Sequence, residues 1–514
     1  MDKNIETLKT IIEENADTEY GRRFDFSSIT SPEDYQSRVP LTIYDDYGAY
    51  MERIEAGEKG VLFSPDYKIL SFCHTSGTTG FTGKLISITD RMMNLYGNDL
   101  DAYPQKVYEE VGGKASGAKR LFQQTFKVKP GDSESQVLIS EMFYKYKREY
   151  GYLDPDTYLG GDILLFDTET EDVFFARTYA ALACEDIVMM EALYQYDHLR
   201  FFTYLEKNHE KLLKAIKTRV IPDDIRISSR VRDYLIGLQI SPERISLLEK
   251  ELDGDMIGIA KRLWPRLRLL TGISNKSVKA ENDMLLEYAN GVSQYYNYYM
   301  STEGYVGDCF AENDLNYRMV PGRCFVEFLP YDDDAGQHPL LPDKLVRGHM
   351  YEPVITSFGG MYRYRMGDVI KVTGFMDSFP TFEVMGRKNQ TVSIAGERTS
   401  IIQIEKMADR FRDDGISFSM YCVGPYFSRL KTCYRMVVSG LDSDISESEL
   451  SLLMDKYLAI YNPSYGNLRR MELIDPPEVR IISPDKYFTF LVKNNILKGN
   501  TKPVHMTVNG FSEW

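Results

Sequence analysis

Ten consecutive residues, Thr75-Ser76-Gly77-Thr78-Thr79-Gly80-Phe81-Thr82-Gly83-Lys84, constrain this chain more than any other segment. Glycine adopts positive φ at no steric cost and lets the backbone approach a ligand closely. Successive N–H groups in such a stretch can therefore converge on one anion. The hydroxyls of Thr75, Ser76, Thr78 and Thr79 add donors, and Lys84 adds a compact positive charge suited to phosphate. The preceding Ser71-Phe72-Cys73-His74 reads as the end of a strand. A Walker loop keeps four residues between its glycines and a Ser or Thr after its lysine. Here five residues separate Gly77 from Gly83 and Leu85 follows Lys84, which excludes that architecture. The segment points to a phosphate without saying which one, and in isolation a surface turn has the same composition.

Three further segments carry chemistry. Tyr299-Met300-Ser301-Thr302-Glu303-Gly304 ends an aromatic strand. A carboxylate there, beside hydroxyls, can join Mg²⁺, which takes one or two protein oxygens and fills its shell with waters and phosphates; a solvated turn carboxylate is the other reading. Tyr362-Arg363-Tyr364-Arg365-Met366-Gly367-Asp368 leads into a strand at 369–373. An aspartate so placed can accept two hydrogen bonds from a ribose, each contributing about 1.5–3 kcal/mol when charge-assisted; an Arg–Asp structural cluster is the alternative. Gly386-Arg387-Lys388-Asn389, then Ser393-Ile394-Ala395-Gly396-Glu397-Arg398, set basic residues and a glycine turn where a hinge would need them.

The 514 residues, 43% hydrophobic and 13% aromatic, suffice for a sizeable core and two to four domains. With 61 basic against 76 acidic residues the net charge is −15, which repels phosphate backbones and argues against nucleic acid as the main partner. No apolar run approaches the length of a membrane span, and Met1-Asp2-Lys3-Asn4-Ile5 lacks a signal peptide's pattern, so a soluble cytoplasmic chain is expected. Six cysteines and six histidines show no metal or redox spacing and read as ordinary side chains. Ile5, Leu8, Ile11 and Ile12 mark a first helix ending near 15–17. A loop through Ser31-Pro32 and Val39-Pro40 follows, then a short helix carrying Tyr47, Met51 and Ile54. Further helices are expected at 184–199 (long and apolar), 209–220 and 229–265, and strands at 267–271, 295–300, 324–329, 351–358 and 368–373. Loops fall at 332–343 and 377–380, and an amphipathic helix at 401–408. The composition places a boundary near Arg387-Lys388, dividing the chain into 1–387 and a small α+β module, 388–514.

In order and spacing the four segments together resemble the adenylate-forming superfamily. The resemblance narrows to one branch, the auxin-responsive (Gretchen Hagen three) acyl-acid amido synthetases. It is carried by Val39-Pro40-Leu41-Thr42-Ile43-Tyr44-Asp45-Asp46-Tyr47 with Met51-Glu52-Arg53-Ile54, and by 299–303, similar to that family's Tyr-Ala-Ser-Ser-Glu. The stretch 361–375, with Arg387-Lys388-Asn389 and Ser393-Ile394, completes it. The likeness runs from about 5 to about 506 and does not imply a plant hormone as substrate.

The resemblance implies an α/β fold: a large N-terminal domain of mixed sheets and helices that binds ATP and acyl acid, and a smaller, mobile C-terminal α+β lid. It implies that ATP and a carboxylic acid form an acyl-adenylate, and that an amine, usually an amino acid, then takes the acyl group. Thr75, Ser76, Gly77, Thr78 and Thr79 are then expected at the ATP phosphates with Lys84 nearby, and Glu303 at Mg²⁺. Asp368 is expected at the ribose, supported by Arg387, and Tyr299, Met300, Ser301 and Thr302 near the adenine and the acyl carbon. In Asn500-Thr501-Lys502-Pro503-Val504-His505, Lys502 falls on the family's lid lysine, while His505 replaces an arginine. Gly396-Glu397-Arg398, closer to the wider superfamily, keeps transfer to a thiol (coenzyme A or a carrier protein) open, and a non-catalytic nucleotide-binding protein is the third possibility. Tyr295, Tyr296, Tyr298, Tyr299, Phe122 and Phe126 form either an aromatic-lined acid cavity or plain core, and His74 is a candidate base for the amine.

Overall fold

The computed structural model describes residues 2–74, 85–96, 102–126, 136–138, 154–274, 279–331, 338–387, 391–392, 394–395, 397, 399–427, 431–470, 473–494, 496, 504–507 and 511. The chain divides into two compact units: Met1–Ser274 with Leu285–Met366 and Lys371–Glu383, and Asn275–Met284 with Gly367–Ile370 and Val384–Trp514.

The first unit contains a four-stranded sheet in the order Lys119–Phe122, Ile187–Tyr194, Leu269–Ile273, Ser293–Tyr295, with every neighbouring pair parallel. Helices Val173–Ala183 and Gln195–Thr218 pack together, and the longer one lies on the two middle strands. Trp264, fully buried, donates its indole N–H to the carbonyls of Ala181 and Cys184 at 3.1 Å each. The apolar stretch expected as a helix at 184–199 is thus a strand followed by the start of a helix. A strand covered on both faces is apolar on both, so its run of Ile187-Val188-Met189-Met190 carries no alternation to distinguish it from a buried helix. The helix expected at 209–220 is the second half of Gln195–Thr218, and 229–265 folds as three helices.

A larger sheet runs Cys324–Pro330, Met350–Ser357, Asp368–Met376, Phe379–Arg387, Tyr317–Met319, Tyr305–Cys309, Tyr298–Met300. The strand expected over 295–300 breaks at Asn297, whose φ of 54° turns the chain from the parallel sheet into this one. The loop expected at 377–380 is only a two-residue turn. Asp377 (φ 50°) and Ser378 (φ 67°) both take the left-handed conformation that matches the twist of a hairpin, and Pro380 lies in the returning strand. The N-terminal helix is Asp2–Glu14, as its stripe predicts. Pro32–Arg38, expected as loop, is a helix: Ser31 Oγ accepts from Asp34 N–H at 3.1 Å and proline occupies the first turn, the start signals of a helix.

The second unit is α+β. Phe418–Phe427 pairs antiparallel with Thr432–Leu441, which pairs parallel with Glu478–Ile481. Helix Ile401–Asp413 opens on a capping box between Ser400 and Gln403 and buries Phe411 edge-on against Phe418 and Tyr457.

Candidate active site

Ser301 to Gly304 form a tight turn closed by Ser301 N–H donating to the Gly304 carbonyl at 2.9 Å. Gly304 packs closely there: a Cβ would sit 2.7 Å from Ile355 Cδ1, so any larger residue would displace the end of that side chain. The turn buries Thr302 and Glu303, each 6% exposed, and Glu303 Oε1 accepts from the Tyr364 hydroxyl at 2.9 Å. That removes the reading of Glu303 as a solvated turn carboxylate. Ser301 Oγ is buried with no partner among the described residues. Among the described residues no cluster of three metal-ligating side chains exists, so a metal here would be held as Mg²⁺ usually is, by one or two protein oxygens plus phosphates. The residues fit such an ion: a buried carboxylate and an unpartnered hydroxyl, on a turn braced by a tyrosine. Tyr299 is also buried, its hydroxyl 3.9 Å from Met366 Sδ and its ring edge-on to Phe382 at 5.7 Å. Met300 is half-buried beside it.

Residues 75–84, including Thr75, Ser76, Gly77, Thr78, Thr79 and Lys84, lie outside the described residues. Their bracket does not: Ile69–His74 and Leu85–Thr89 are antiparallel, with His74 paired to Leu85. Tyr44 caps this bracket, accepting from Leu85 N–H at 2.7 Å. Burial first, and then the negative charges of Glu52 and Glu303, raise the Tyr44 pKa. Its segment is anchored from below. Thr42 exchanges backbone hydrogen bonds with Arg363 and Arg365, at 3.0 and 2.9 Å, and the Tyr47 hydroxyl sits 2.8 Å from both the Tyr362 N–H and carbonyl. Arg363, at φ 48°, is buried against Glu327 and the carbonyls of Gln36 and Val39, while Arg365 pairs with Glu352. The arginines thus serve the scaffold, and the two distant sequence blocks that carried the resemblance form one braced unit. Tyr44 and Tyr364 were missed as site residues; the only trace of them was their place inside those blocks.

Asp368 begins the strand Asp368–Met376 and Arg387 ends Phe379–Arg387; two nine-residue strands joined by a two-residue turn bring these positions to the same end of the hairpin. Lys502, with Lys388, Asn389, Gly396 and Arg398, lies outside the described residues. His505 is buried, its Nδ1 2.9 Å from Glu405 Oε1 and its ring 4.2 Å from that of Tyr421, whose hydroxyl donates to Glu405 Oε2 at 2.7 Å. Backbone bonds between Val423 and both His505 and Thr507, 2.8 Å each, hold this tail segment on the sheet. Glu397 is spent on a turn: its carboxylate accepts from the N–H groups of Ile394 and Ala395 and from the Tyr434 hydroxyl. Phe122 and Phe126 pack with Tyr158, Leu165 and Phe166 as ordinary core, and Tyr295 spends its hydroxyl on the Cys309 carbonyl. His74 ends its strand, and its side chain lies outside those described.

The fold is shared with a 2-hydroxyisobutyryl-CoA ligase solved in the postadenylation state (TM-score 0.50, 12% identity, covering 98% of this chain and 88% of that one). Family models then match along the chain: the GH3 family N-terminal domain at 2–293, central domain at 317–387 and C-terminal domain at 403–509. The chain belongs to the GH3 family. Indole-3-acetic acid-amido synthetase GH3.15 of Arabidopsis thaliana is 27% identical over 414 residues, 76% of this chain and 69% of the relative. The solved structure of AtGH3.15 acyl acid amido synthetase in complex with 2,4-DB matches with TM-score 0.79 at 21% identity, over 98% of this chain and 91% of that one. No helix among the described residues is long and apolar enough to cross a membrane.

Proposed function

We propose that this chain is an ATP-dependent acyl-acid amido synthetase. The observations that carry the reading are the family match along 2–293, 317–387 and 403–509 and Glu303, buried on its turn and braced by the Tyr364 hydroxyl. In the first half-reaction an oxygen of the acid's carboxylate attacks the α-phosphorus of ATP, the α–β bridging bond breaks, and pyrophosphate leaves with the electron pair. In the second an amine, most simply that of an amino acid, attacks the acyl carbon; AMP leaves and the amine proton passes to a base or solvent. Activation is needed because a carboxylate is a poor electrophile and AMP a far better leaving group than oxide.

Thr75, Ser76, Gly77, Thr78 and Thr79 hold the phosphates, with Lys84 adding charge. Tyr299, Met300, Ser301 and Thr302 flank the adenine and acyl carbon. Asp368 accepts from the ribose hydroxyls, with Arg387 beside it. Glu303 and Ser301 would hold Mg²⁺, which when bound offsets negative charge on the phosphates. Lys502 serves one half-reaction from a C-terminal lid, residues 388–514, that closes over residues 1–387; the end of the central-domain match at 387 supports that boundary. Six cysteines scattered through the sequence without pairing or metal spacing suit a reducing compartment, and the cytoplasm is the location we propose.

The test supplies ATP, a mixed set of acids, and either twenty amino acids or coenzyme A, then weighs the products. Amide plus AMP is expected; thioester as the main product overturns the assignment.

A further inference from the structure

Four parallel strands end side by side in the first unit, and what stands at their carboxyl ends is polar. Gln123 follows Lys119–Phe122, its N–H donating to the Glu191 carbonyl at 2.8 Å. Gln195 follows Ile187–Tyr194, Ser274 follows Leu269–Ile273, and Gln294 lies in Ser293–Tyr295. Gly272 keeps the third strand close: a Cβ there would lie 2.7 Å from Gln195 N. In open α/β sheets the crevice beyond the carboxyl ends of the strands is where ligands bind.

These amides are 3%, 1% and 1% exposed for Gln123, Gln195 and Gln294, and His198, one turn into the next helix, is fully buried. Gln294 Oε1 accepts from the Tyr296 hydroxyl at 3.1 Å and from Gln195 Nε2 at 3.4 Å. That orients the Gln195 amide and leaves its Oε1 without a partner among the described residues. Neither amide atom of Gln123 has one either. His198 donates from Nε2 to the Thr271 carbonyl at 3.0 Å, which leaves Nδ1 an unpartnered acceptor. Buried polar atoms generally find a partner in protein, ligand or ordered water, so three acceptors and one donor group left unpartnered among the described residues at one end of this sheet leave a place for a hydrogen-bonding partner. Of the two readings of Phe122 and Phe126, acid cavity or plain core, their packing with Tyr158, Leu165 and Phe166 favours core.

We propose that Gln123, Gln195 and His198 line the far end of the acyl-acid pocket and select acids bearing a hydroxyl or amide group remote from the carboxylate. A hydroxyl fits this set because it donates to Gln195 Oε1 or His198 Nδ1 and accepts from Gln123 Nε2; a hydrocarbon acid of the same size leaves all of them bare. This rests on the acyl-acid reading above.

The experiment measures kcat/KM for acid-dependent ATP–pyrophosphate exchange with 3-phenylpropanoate against 3-(4-hydroxyphenyl)propanoate, and octanoate against 8-hydroxyoctanoate. The hydroxylated member of at least one pair is expected to win by about tenfold or more. Gln123→Met and Gln195→Met are expected to bring that ratio toward one. Gln123→Met should keep the wild-type melting temperature, since the amide it removes bonds nothing among the described residues. Ratios at or below one in both pairs, an unchanged ratio in both variants, or a large fall in melting temperature for Gln123→Met overturns the assignment while leaving adenylation intact. Silence with all four acids overturns the adenylation reading and this one with it.

Discussion

Two substitutions at one hydrogen bond separate the charge of Glu303 from its position. The Tyr364 hydroxyl donates to Glu303 Oε1 at 2.9 Å, and both side chains are buried. Glu303→Gln keeps an oxygen there to accept that bond, so the turn and its brace survive and only the negative charge is lost. Losing one preorganised electrostatic contact typically costs ~10²–10³ in rate. Tyr364→Phe does the reverse, keeping the charge and removing one bond to it. A hydrogen bond to a charged group contributes about 1.5–3 kcal/mol, and at about 1.4 kcal/mol per decade its loss lowers adenylation by roughly 10- to 100-fold. The two also differ in their response to Mg²⁺. Tyr364→Phe should need more Mg²⁺ but saturate, whereas Glu303→Gln should gain little at any concentration. The assay is the acid-dependent exchange rate across a Mg²⁺ titration, with nucleotide binding and melting temperature as controls for folding. Near-wild-type exchange by Glu303→Gln would refute the metal role. A larger loss in Tyr364→Phe than in Glu303→Gln would show that the tyrosine itself acts on the reactants.

Lys502→Ala should depress one half-reaction far more than the other, because a moving lid serves one arrangement at a time; equal losses in pyrophosphate exchange and in amide release would make the lysine structural. His505→Ala removes the bond to Glu405 that ties down the tail segment, and should lower the same half-reaction as Lys502→Ala by a smaller factor; equal loss in both would mean that His505 only helps its unit fold. Burial raises the Asp197 pKa from 3.8 to about 6, a change of about 3 kcal/mol. A raised pKa means that this stabilising contribution is present below pH 3.8 and lost as pH rises through 6. Asp197→Asn should therefore melt higher than wild type above pH 6, with the gap closing toward pH 4; a gap independent of pH contradicts this. His198 opposes it, since burial lowers its pKa to about 4 and its contribution, present above pH 6.5, is lost on acidification through 4. The variant's own melting temperature should accordingly fall between pH 6.5 and 4.

The elements that the sequence made legible are those with an open face. The Asp2–Glu14 helix shows its stripe because one side is wet, and Ile401–Asp413 does the same. Ile187–Tyr194 was misread because a strand buried on both faces has no alternation, and 295–300 because one left-handed asparagine redirects a chain that looks continuous. The motif at 299–303 was legible, but the burial of Glu303 and its brace were not, because the brace is Tyr364, sixty-one residues away in sequence. The Gln123–Gln195–Gln294 set was invisible for the same reason. Each glutamine alone looks like an unremarkable polar residue at a strand end, and only the parallel pairing brings the three to one edge.

Adenylation is tested most directly by exchange of labelled pyrophosphate into ATP, run with acid and Mg²⁺ and without any amine. The prediction is exchange that appears only when acid is present and that falls by ~10² or more in Glu303→Gln. Exchange that proceeds without acid, or amide formation with no exchange and no release of AMP, would contradict an acyl-adenylate intermediate and the assignment built on it.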